Sequence, residues 1–112
     1  MITPYCYYAV VRSIYDGDTM RLDIDMGLSN WVINEPCRLS RIDTPELRGK
    51  DREAGLKARD WLRDRLPIGS KVLIKTELDR GKYGRVLAEI YDLEGRSINQ
   101  ELLDNGLANP YE

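Results

Sequence analysis

Acidic side chains occur in two short segments of the sequence, Asp16-Gly17-Asp18-Thr19 and Asp43-Thr44-Pro45-Glu46. A hard divalent cation such as calcium prefers several oxygen ligands, and Asp18 and Asp43 could supply two carboxylates from neighbouring strand ends. Pro45 favours an extended conformation for Thr44, whose backbone carbonyl is then a possible third ligand. With water completing the shell, these segments predict a cation site.

Two arginines could bind a phosphate beside such a cation. Arg38 precedes Asp43 by five residues, and Arg85 ends the basic segment Lys82-Tyr83-Gly84-Arg85. Guanidinium groups bind phosphate in a bidentate manner and stabilise negative charge that grows during attack. The sequence contains no histidine, which excludes every mechanism that uses one. A carboxylate near the metal must then orient or deprotonate water, and Glu46 fits that role.

Each segment also has a purely structural explanation. Asp16-Gly17 is a common hairpin turn, and the basic segment at residues 82–85 could be a plain turn. Thr44 and Pro45 could begin a helix as its N-cap and first residue. The carboxylates could simply pair with the two arginines, although exposed ion pairs contribute only ~0–1 kcal/mol each.

Hydrophobic periodicity predicts five strands and two helices that would position these residues. The strands are expected at residues 7–14, 19–26, 31–42, 71–78 and 85–91, and Pro36 should break or bulge the third. In the second strand, one face should be buried and carries Met20, Leu22, Ile24 and Met26.

The first helix is expected at residues 53–66, where the apolar stripe consists of Ala54, Ala58, Trp61, Leu62 and Leu66. The second should begin at the capping residue Ser97 and end at Gly106. Three strands, a helix, two strands and a helix is the order of an α+β OB-fold, a five-stranded barrel. Nucleic acids often bind this fold, but the fold does not determine the function.

Composition indicates one domain spanning residues 1–112, with 42% hydrophobic residues and no phenylalanine. The core is expected to combine Leu, Ile and Val with Trp31, Trp61 and the seven tyrosines. Cys6 and Cys37 are expected to be free thiols. With no signal segment and no long apolar run, we expect no membrane association and favour the cytoplasm.

The ordered set DGDT, RLSRIDTPE and KYGR resembles the staphylococcal nuclease (thermonuclease) family, over about residues 10–108. The resemblance implies that Asp18, Asp43 and the Thr44 carbonyl bind calcium, and that Glu46 is the general base. Arg38 and Arg85 would hold and stabilise the phosphate. Lys82 and Tyr83 would contact the phosphates of a bound nucleotide, and Asp16 would be a further carboxylate near the metal.

Family enzymes cut DNA and RNA to 3′-phosphate and 5′-hydroxyl products, which the resemblance implies here. Residues 48–51 stand where they carry a longer, lysine-rich loop, and the sequence ends before a third helix. The net charge of −2 predicts weak, salt-sensitive binding. The family places several tyrosines after its second helix. In this sequence only Tyr111 is available at that place, and no role is assigned to it.

The preferred hypothesis is a calcium-dependent nuclease, a hydrolase acting on DNA or RNA, as a monomer or weak homodimer. The alternative is a non-catalytic OB-fold module that binds nucleic acid or protein, since some repeats of this fold have lost their catalytic residues. None of the expected residues is lost here, which favours the enzyme. Calcium-dependent cutting separates the two hypotheses.

Overall fold

The structure is a computed structural model that describes residues 5–77 and 85–111. These ranges contain β1 (Cys6–Asp16), β2 (Thr19–Gly27), β3 (Asn30–Leu39), β4 (Ile42–Asp43), α1 (Arg52–Arg65), β5 (Lys71–Thr76), β6 (Val86–Tyr91), α2 (Ile98–Asp104) and β7 (Asn109–Pro110). Within the described ranges, no helix has the length and apolar character needed to cross a membrane.

Five of the strands close into a barrel in the order β1-β2-β3-β6-β5. Four of the five pairings are antiparallel, and the parallel pairing of β3 with β6 closes the barrel through Cys37–Val86, Arg38–Leu87 and Leu39–Ala88. Helix α1 lies in the chain between the third and fourth barrel strands, and α2 follows the fifth. The predicted five-stranded α+β barrel is confirmed.

The barrel core is aliphatic, because the inward positions of the strands carry Leu, Ile, Val and Ala together with Met20 and Cys37. The expectation that Trp31 and all seven tyrosines belong to the core is wrong. Trp31 is 46% exposed and Tyr15 is 69% exposed, while Tyr7 and Trp61 pack against the core only from its margin. Small and branched side chains fill a narrow barrel more easily than large rings do.

The hairpin formed by β2 and β3 differs from its prediction at two points. Met26 is exposed, although Met20, Leu22 and Ile24 of the same strand are buried as expected. Pro36 does not interrupt β3, since it pairs with Arg21 and, among the residues that the structure describes, the pairing of β3 with β6 begins only at Cys37. The irregularity lies earlier, where the partner of Leu22 is Glu35 and that of Ile24 is Val32.

The third predicted strand is divided in two after Leu39. Arg41 has a φ of 58°, a left-handed conformation that turns the chain out of the barrel. The next two residues form β4, which pairs with β7 rather than with a barrel strand. The carboxylate of Asp43 is therefore carried by a separate short sheet at the end of the barrel.

Helix α1 begins at Arg52, after a single 3-10 turn at Gly49–Asp51. The alternative in which Thr44 and Pro45 begin the helix is therefore wrong. Ala54 is exposed, and the buried residues of α1 are Gly55, Ala58 and Leu62. In α2, the Ser97 side chain accepts a hydrogen bond from the Gln100 backbone N–H, as the capping prediction requires.

Both cysteines are free thiols, as expected. Cys6 is half-buried, whereas Cys37 is buried inside the barrel. Burial, followed by the negative charge of Glu35, raises the pKa of the Cys37 thiol to about 12, against a smaller opposing effect of Arg85. This thiol stays protonated near neutral pH and is therefore a poor nucleophile.

Candidate active site

The turn between β1 and β2 brings two aspartates together at one end of the barrel. The backbone N–H of Asp18 donates to Oδ1 of Asp16 at 3.1 Å, and the Thr19 hydroxyl donates to Oδ1 of Asp18 at 3.1 Å. Asp18 is only 7% exposed, although aspartate is rarely buried without a partner. The Asp-Gly turn thus also fixes the direction of a buried carboxylate.

Arg38 joins the two carboxylates that the sequence predicts as metal ligands. Its Nη2 lies 3.5 Å from Oδ2 of Asp18 and 3.2 Å from Oδ1 of Asp43. The pairing of Arg38 with Thr19 places the arginine beside the aspartate turn, and β4 carries Asp43 to the same place. Since Nη2 of Arg38 contacts both carboxylates, the two lie close enough together for one bound cation to contact both as well.

Thr44 provides a second observation that points to a ligand. Its backbone N–H donates to Oδ2 of Asp18 at 3.1 Å, which ties the two acidic segments together. The Thr44 side chain is buried, and its hydroxyl oxygen has no hydrogen-bond partner in the part of the chain that the structure describes. Buried polar atoms are nearly always hydrogen-bonded, so an unpartnered oxygen on the residue whose backbone binds Asp18 indicates a position where a ligand would be stabilised.

Two glycines allow the second acidic segment to lie between the aspartate turn and α1. A Cβ atom at Gly17 would stand 2.8 Å from Cγ2 of Thr44, and one at Gly55 would stand 2.8 Å from the backbone oxygen of Pro45. Both distances are shorter than a real Cβ tolerates. Sequence reasoning explained Gly17 only as a turn residue and missed Gly55, whose place within the helical period was the available signal.

The electrostatics of Asp16 fit a cation at this position. Burial, a hydrogen bond with the Asp18 side chain and the negative charge of Asp18 together raise the pKa of Asp16 to about 6. Two close carboxylates resist simultaneous ionisation, and a bound divalent cation removes that resistance. Within residues 5–77 and 85–111, no three Asp, Glu or Cys side chains are arranged as a metal site. The candidate set therefore combines two carboxylates with a threonine oxygen.

Glu46 lies at the edge of this site and does not contact its carboxylates. Its side chain is 71% exposed and pairs with Nε of Arg48 at 3.4 Å. Glu46 and Asp16 nevertheless line the same open cleft of about 400 Å³, together with Tyr15, Leu47 and Arg48. A water molecule in this cleft could therefore lie near both Glu46, a possible proton acceptor, and the aspartate turn.

The second predicted arginine approaches from β6. Arg38 pairs with Leu87, and Arg85 lies two residues before Leu87, directly ahead of the first residue of β6. Arg85 also lies close enough to Cys37 to influence its thiol. The other two predicted nucleotide contacts, Lys82 and Tyr83, lie outside the described residues.

The structure adds one residue to the predicted set. Tyr111 places its ring over the guanidinium carbon of Arg38, 4.8 Å from the ring centroid. Its backbone N–H donates to the carbonyl of Arg41 at 3.0 Å. The sequence offered Tyr111 only as an aromatic residue after the second helix, and the contact with Arg38 depends on tertiary structure.

The closed five-stranded barrel with two helices is an OB-type fold. Its acidic turn and Arg38 meet at one end of the barrel, where they form a candidate site for a cation and a phosphate. Residues 36–112 match the model of the staphylococcal nuclease homologue family. The chain belongs to this family, which confirms the resemblance found in the sequence.

The relatives in which this domain occurs are named as endonucleases. The chain is 29% identical to Endonuclease YhcR of Bacillus subtilis (strain 168), over 94% of this chain and 9% of that protein. It is 32% identical to an uncharacterized endonuclease of Escherichia coli and to one of Escherichia coli O157:H7, over 92% of this chain and 60% of each relative. The chain thus spans less than two thirds of these proteins.

Proposed function

We propose that this chain is a calcium-dependent nuclease that hydrolyses phosphodiester bonds of DNA and RNA to 3′-phosphate and 5′-hydroxyl products. The observation that carries the proposal is the convergence of Asp18 and Asp43 on one nitrogen of Arg38, together with the buried hydroxyl of Thr44, which has no partner among the described residues. Membership of a nuclease family and relatives named as endonucleases support the same reaction.

Asp18, Asp43 and Thr44 would hold the calcium ion, through two carboxylates and the backbone carbonyl of Thr44. Oxygen donors of this kind are what calcium selects. When bound, the ion supplies positive charge beside the phosphate oxygens and polarises the phosphorus centre. Asp16 would stay close to the ligands through its hydrogen bond with the Asp18 backbone.

Glu46 would accept a proton from the attacking water in the cleft that it shares with Asp16. The water oxygen forms a bond to phosphorus while the bond from phosphorus to the 5′ oxygen breaks, and a proton from solvent completes the 5′-hydroxyl. Arg38 and Arg85 would stabilise the charge on the remaining phosphate oxygens. Lys82 and Tyr83 would contact neighbouring phosphates of the substrate.

The first experiment measures cleavage of denatured DNA and of RNA at low salt, with calcium and then with excess chelator. We expect cutting only with calcium, and 3′-phosphate ends. Binding of oligonucleotides that is equal with and without chelator, and never followed by cutting, would instead favour the non-catalytic binding module. Cutting that survives the chelator would contradict the metal assignment.

The role of Glu46 is tested by Glu46→Gln, which keeps the shape of the side chain and removes its capacity as a base. Cleavage should fall by roughly 100-fold or more without loss of folding. Glu94→Gln is the matched control, because Glu94 is equally exposed at 71% and pairs with Arg96 two residues later. Equal rates for the two variants would refute the assignment of Glu46.

A further inference from the structure

Arg38 contacts two different kinds of group, the carboxylates of two aspartates and an aromatic ring. The two carboxylates contact it through Nη2. The guanidinium carbon of Arg38 lies over the Tyr111 ring, 4.8 Å from the ring centroid, and the Arg38 side chain is only 15% exposed. An arginine with both kinds of contact loses much of its rotational freedom, because a change of side-chain rotamer would break the contact with the carboxylates, the contact with the ring, or both.

The strand before Tyr111 explains why this ring is located there. In the pairing of β4 with β7, Asp43 is opposite Asn109 and Ile42 is opposite Pro110. The same segment therefore borders the backbone of Asp43 at Asn109 and, two residues later, the guanidinium group that contacts the Asp43 carboxylate. The hydrogen bond from Tyr111 to Arg41 fixes the backbone from which the ring projects.

We propose that Tyr111 is a positioning residue that acts through Arg38, and this inference rests on the proposed nuclease function. The ring holds the guanidinium plane at the carboxylate pair, so that the arginine is already oriented when a phosphate arrives. Orientation before binding lowers the cost of reaching the transition state. The expected signature is a loss in kcat with little change in KM.

The chain contains a matched control for this contact. Tyr8 is 51% exposed, close to the 55% of Tyr111, and its ring is covered by Nζ of Lys71 at the same centroid distance of 4.8 Å. Tyr8 and Lys71 lie on the paired strands β1 and β5, and neither belongs to the candidate site. A comparison of the two tyrosines separates positioning of Arg38 from the general loss of an exposed cation–ring contact.

In steady-state cleavage, Tyr111→Leu should lower kcat by roughly 3- to 10-fold, a size typical of one cation–π contact. Tyr111→Phe should retain the wild-type kcat, and Tyr8→Leu should not change it. In an Arg38→Lys background, Tyr111→Leu should have less than about half of its effect, because residues that act through one another are not additive. Equal effects in both backgrounds would overturn the proposal.

Stacking of Tyr111 on a nucleobase is the competing explanation, and it predicts a different result. It would raise KM and would disappear with an oligonucleotide substrate whose sugars lack bases. The positioning role predicts that the loss in kcat persists on this abasic substrate. A purely KM effect that vanishes without bases would contradict positioning.

The guanidinium can also be observed without any cleavage. The ¹⁵N heteronuclear NOE of Arg38 Nε should fall in Tyr111→Leu, and it should be unchanged in Tyr8→Leu. An unchanged NOE in Tyr111→Leu would overturn the contact itself. If the wild-type protein did not cut at all, the proposed function and the catalytic purpose of the contact would fail, while the NOE would still report whether the ring orders Arg38.

Discussion

Two clusters in this molecule each place one arginine between two carboxylates, but they are built differently. Arg65 contacts Asp92 at 2.6 Å through Nη2 and Glu101 at 2.8 Å through Nε, with a longer contact from Nη2 to Glu101 at 3.4 Å. Arg38 contacts its two aspartates through a single nitrogen, at 3.5 and 3.2 Å. The first cluster ties α1 to α2 and to the turn after β6, and the second lies at the end of the barrel.

The surroundings of the two arginines decide what each cluster can do. Hydrogen bonds to Glu101 and Asp92 raise the pKa of Arg65, and Asp92 also accepts two backbone N–H groups. Around Arg38 there is instead a further carboxylate, Asp16, and a buried hydroxyl without a partner among the described residues. Excess acid and an unpartnered oxygen indicate a ligand site, whereas short and satisfied pairs indicate a structural contact.

The largest expected difference is in catalysis. Arg38→Lys keeps the charge but loses the bidentate fork, and it should lower the cleavage rate by roughly 100- to 1000-fold. Arg65→Lys should lower the rate by less than about 3-fold and should mainly reduce the melting temperature. Rates on a single-stranded oligonucleotide measure both, and equal losses would remove the distinction between the clusters.

Calcium should stabilise the folded protein through one cluster only. At a concentration of about 100 times Kd, a ligand adds ~2.7 kcal/mol to the free energy of unfolding, which raises Tm by several degrees. Asp18→Asn should abolish this rise, and Asp92→Asn should retain it. Thermal melts with calcium and with chelator give the result, and a rise that persists in Asp18→Asn would place the ion elsewhere.

Gly55→Ala should disturb the second acidic segment, because the new methyl group would meet the backbone of Pro45 and Glu46. We expect a loss of about 1–2 kcal/mol, since overpacking outweighs the gain in helix propensity. Cleavage should fall as well, because Glu46 is displaced. Ala54→Ser, at the exposed neighbouring position, is the control. If Gly55→Ala were as stable and as active as this control, the second acidic segment could shift without cost and the prediction would be wrong.

Alternation and spacing predicted the barrel well, because strands with one buried face reveal themselves in local sequence. The same reasoning failed at Met26 and Trp31, which lie where the β2–β3 hairpin extends beyond the core. Local pattern carries no information on where a neighbouring element ends. Local pattern also predicted a break at Pro36. Proline disrupts a strand only where a neighbouring strand would accept a hydrogen bond from the backbone N–H that proline lacks.

For the site, residue types and order were sufficient to name Asp18, Asp43 and Arg38, which the fold brings together. The packing of Gly55 against the second acidic segment was not readable, because helical periodicity indicates that Gly55 is buried but not which backbone lies against it. The contact of Tyr111 with Arg38 depends in the same way on the pairing of β7 with β4. Such contacts need tertiary structure.

The smallest expected effect is the pH dependence of the stability that the cluster around Arg65 contributes. The backbone N–H of Arg96 is the main cause that lowers the pKa of Asp92 below its ordinary value of 3.8, and the Arg65 side chain adds to it. A lowered pKa in the folded state contributes stability above that ordinary value, and this contribution is lost as the pH falls through the lowered pKa. Asp92→Asn should therefore reduce Tm at pH 7 and make little difference in strong acid; a constant difference across this range would contradict the assignment.

The pairing of β4 with β7 has a consequence for dynamics. Among the described residues, two residue pairs join these strands, and they connect parts of the chain that are far apart in sequence. A pairing so short opens by local fluctuation at a free energy well below that of global unfolding, whereas the barrel strands open only with the whole domain. One wall of the candidate site therefore belongs to the least cooperative part of the fold, and the equilibrium between its open and closed forms sets an upper limit on the fraction of time for which the site is fully assembled.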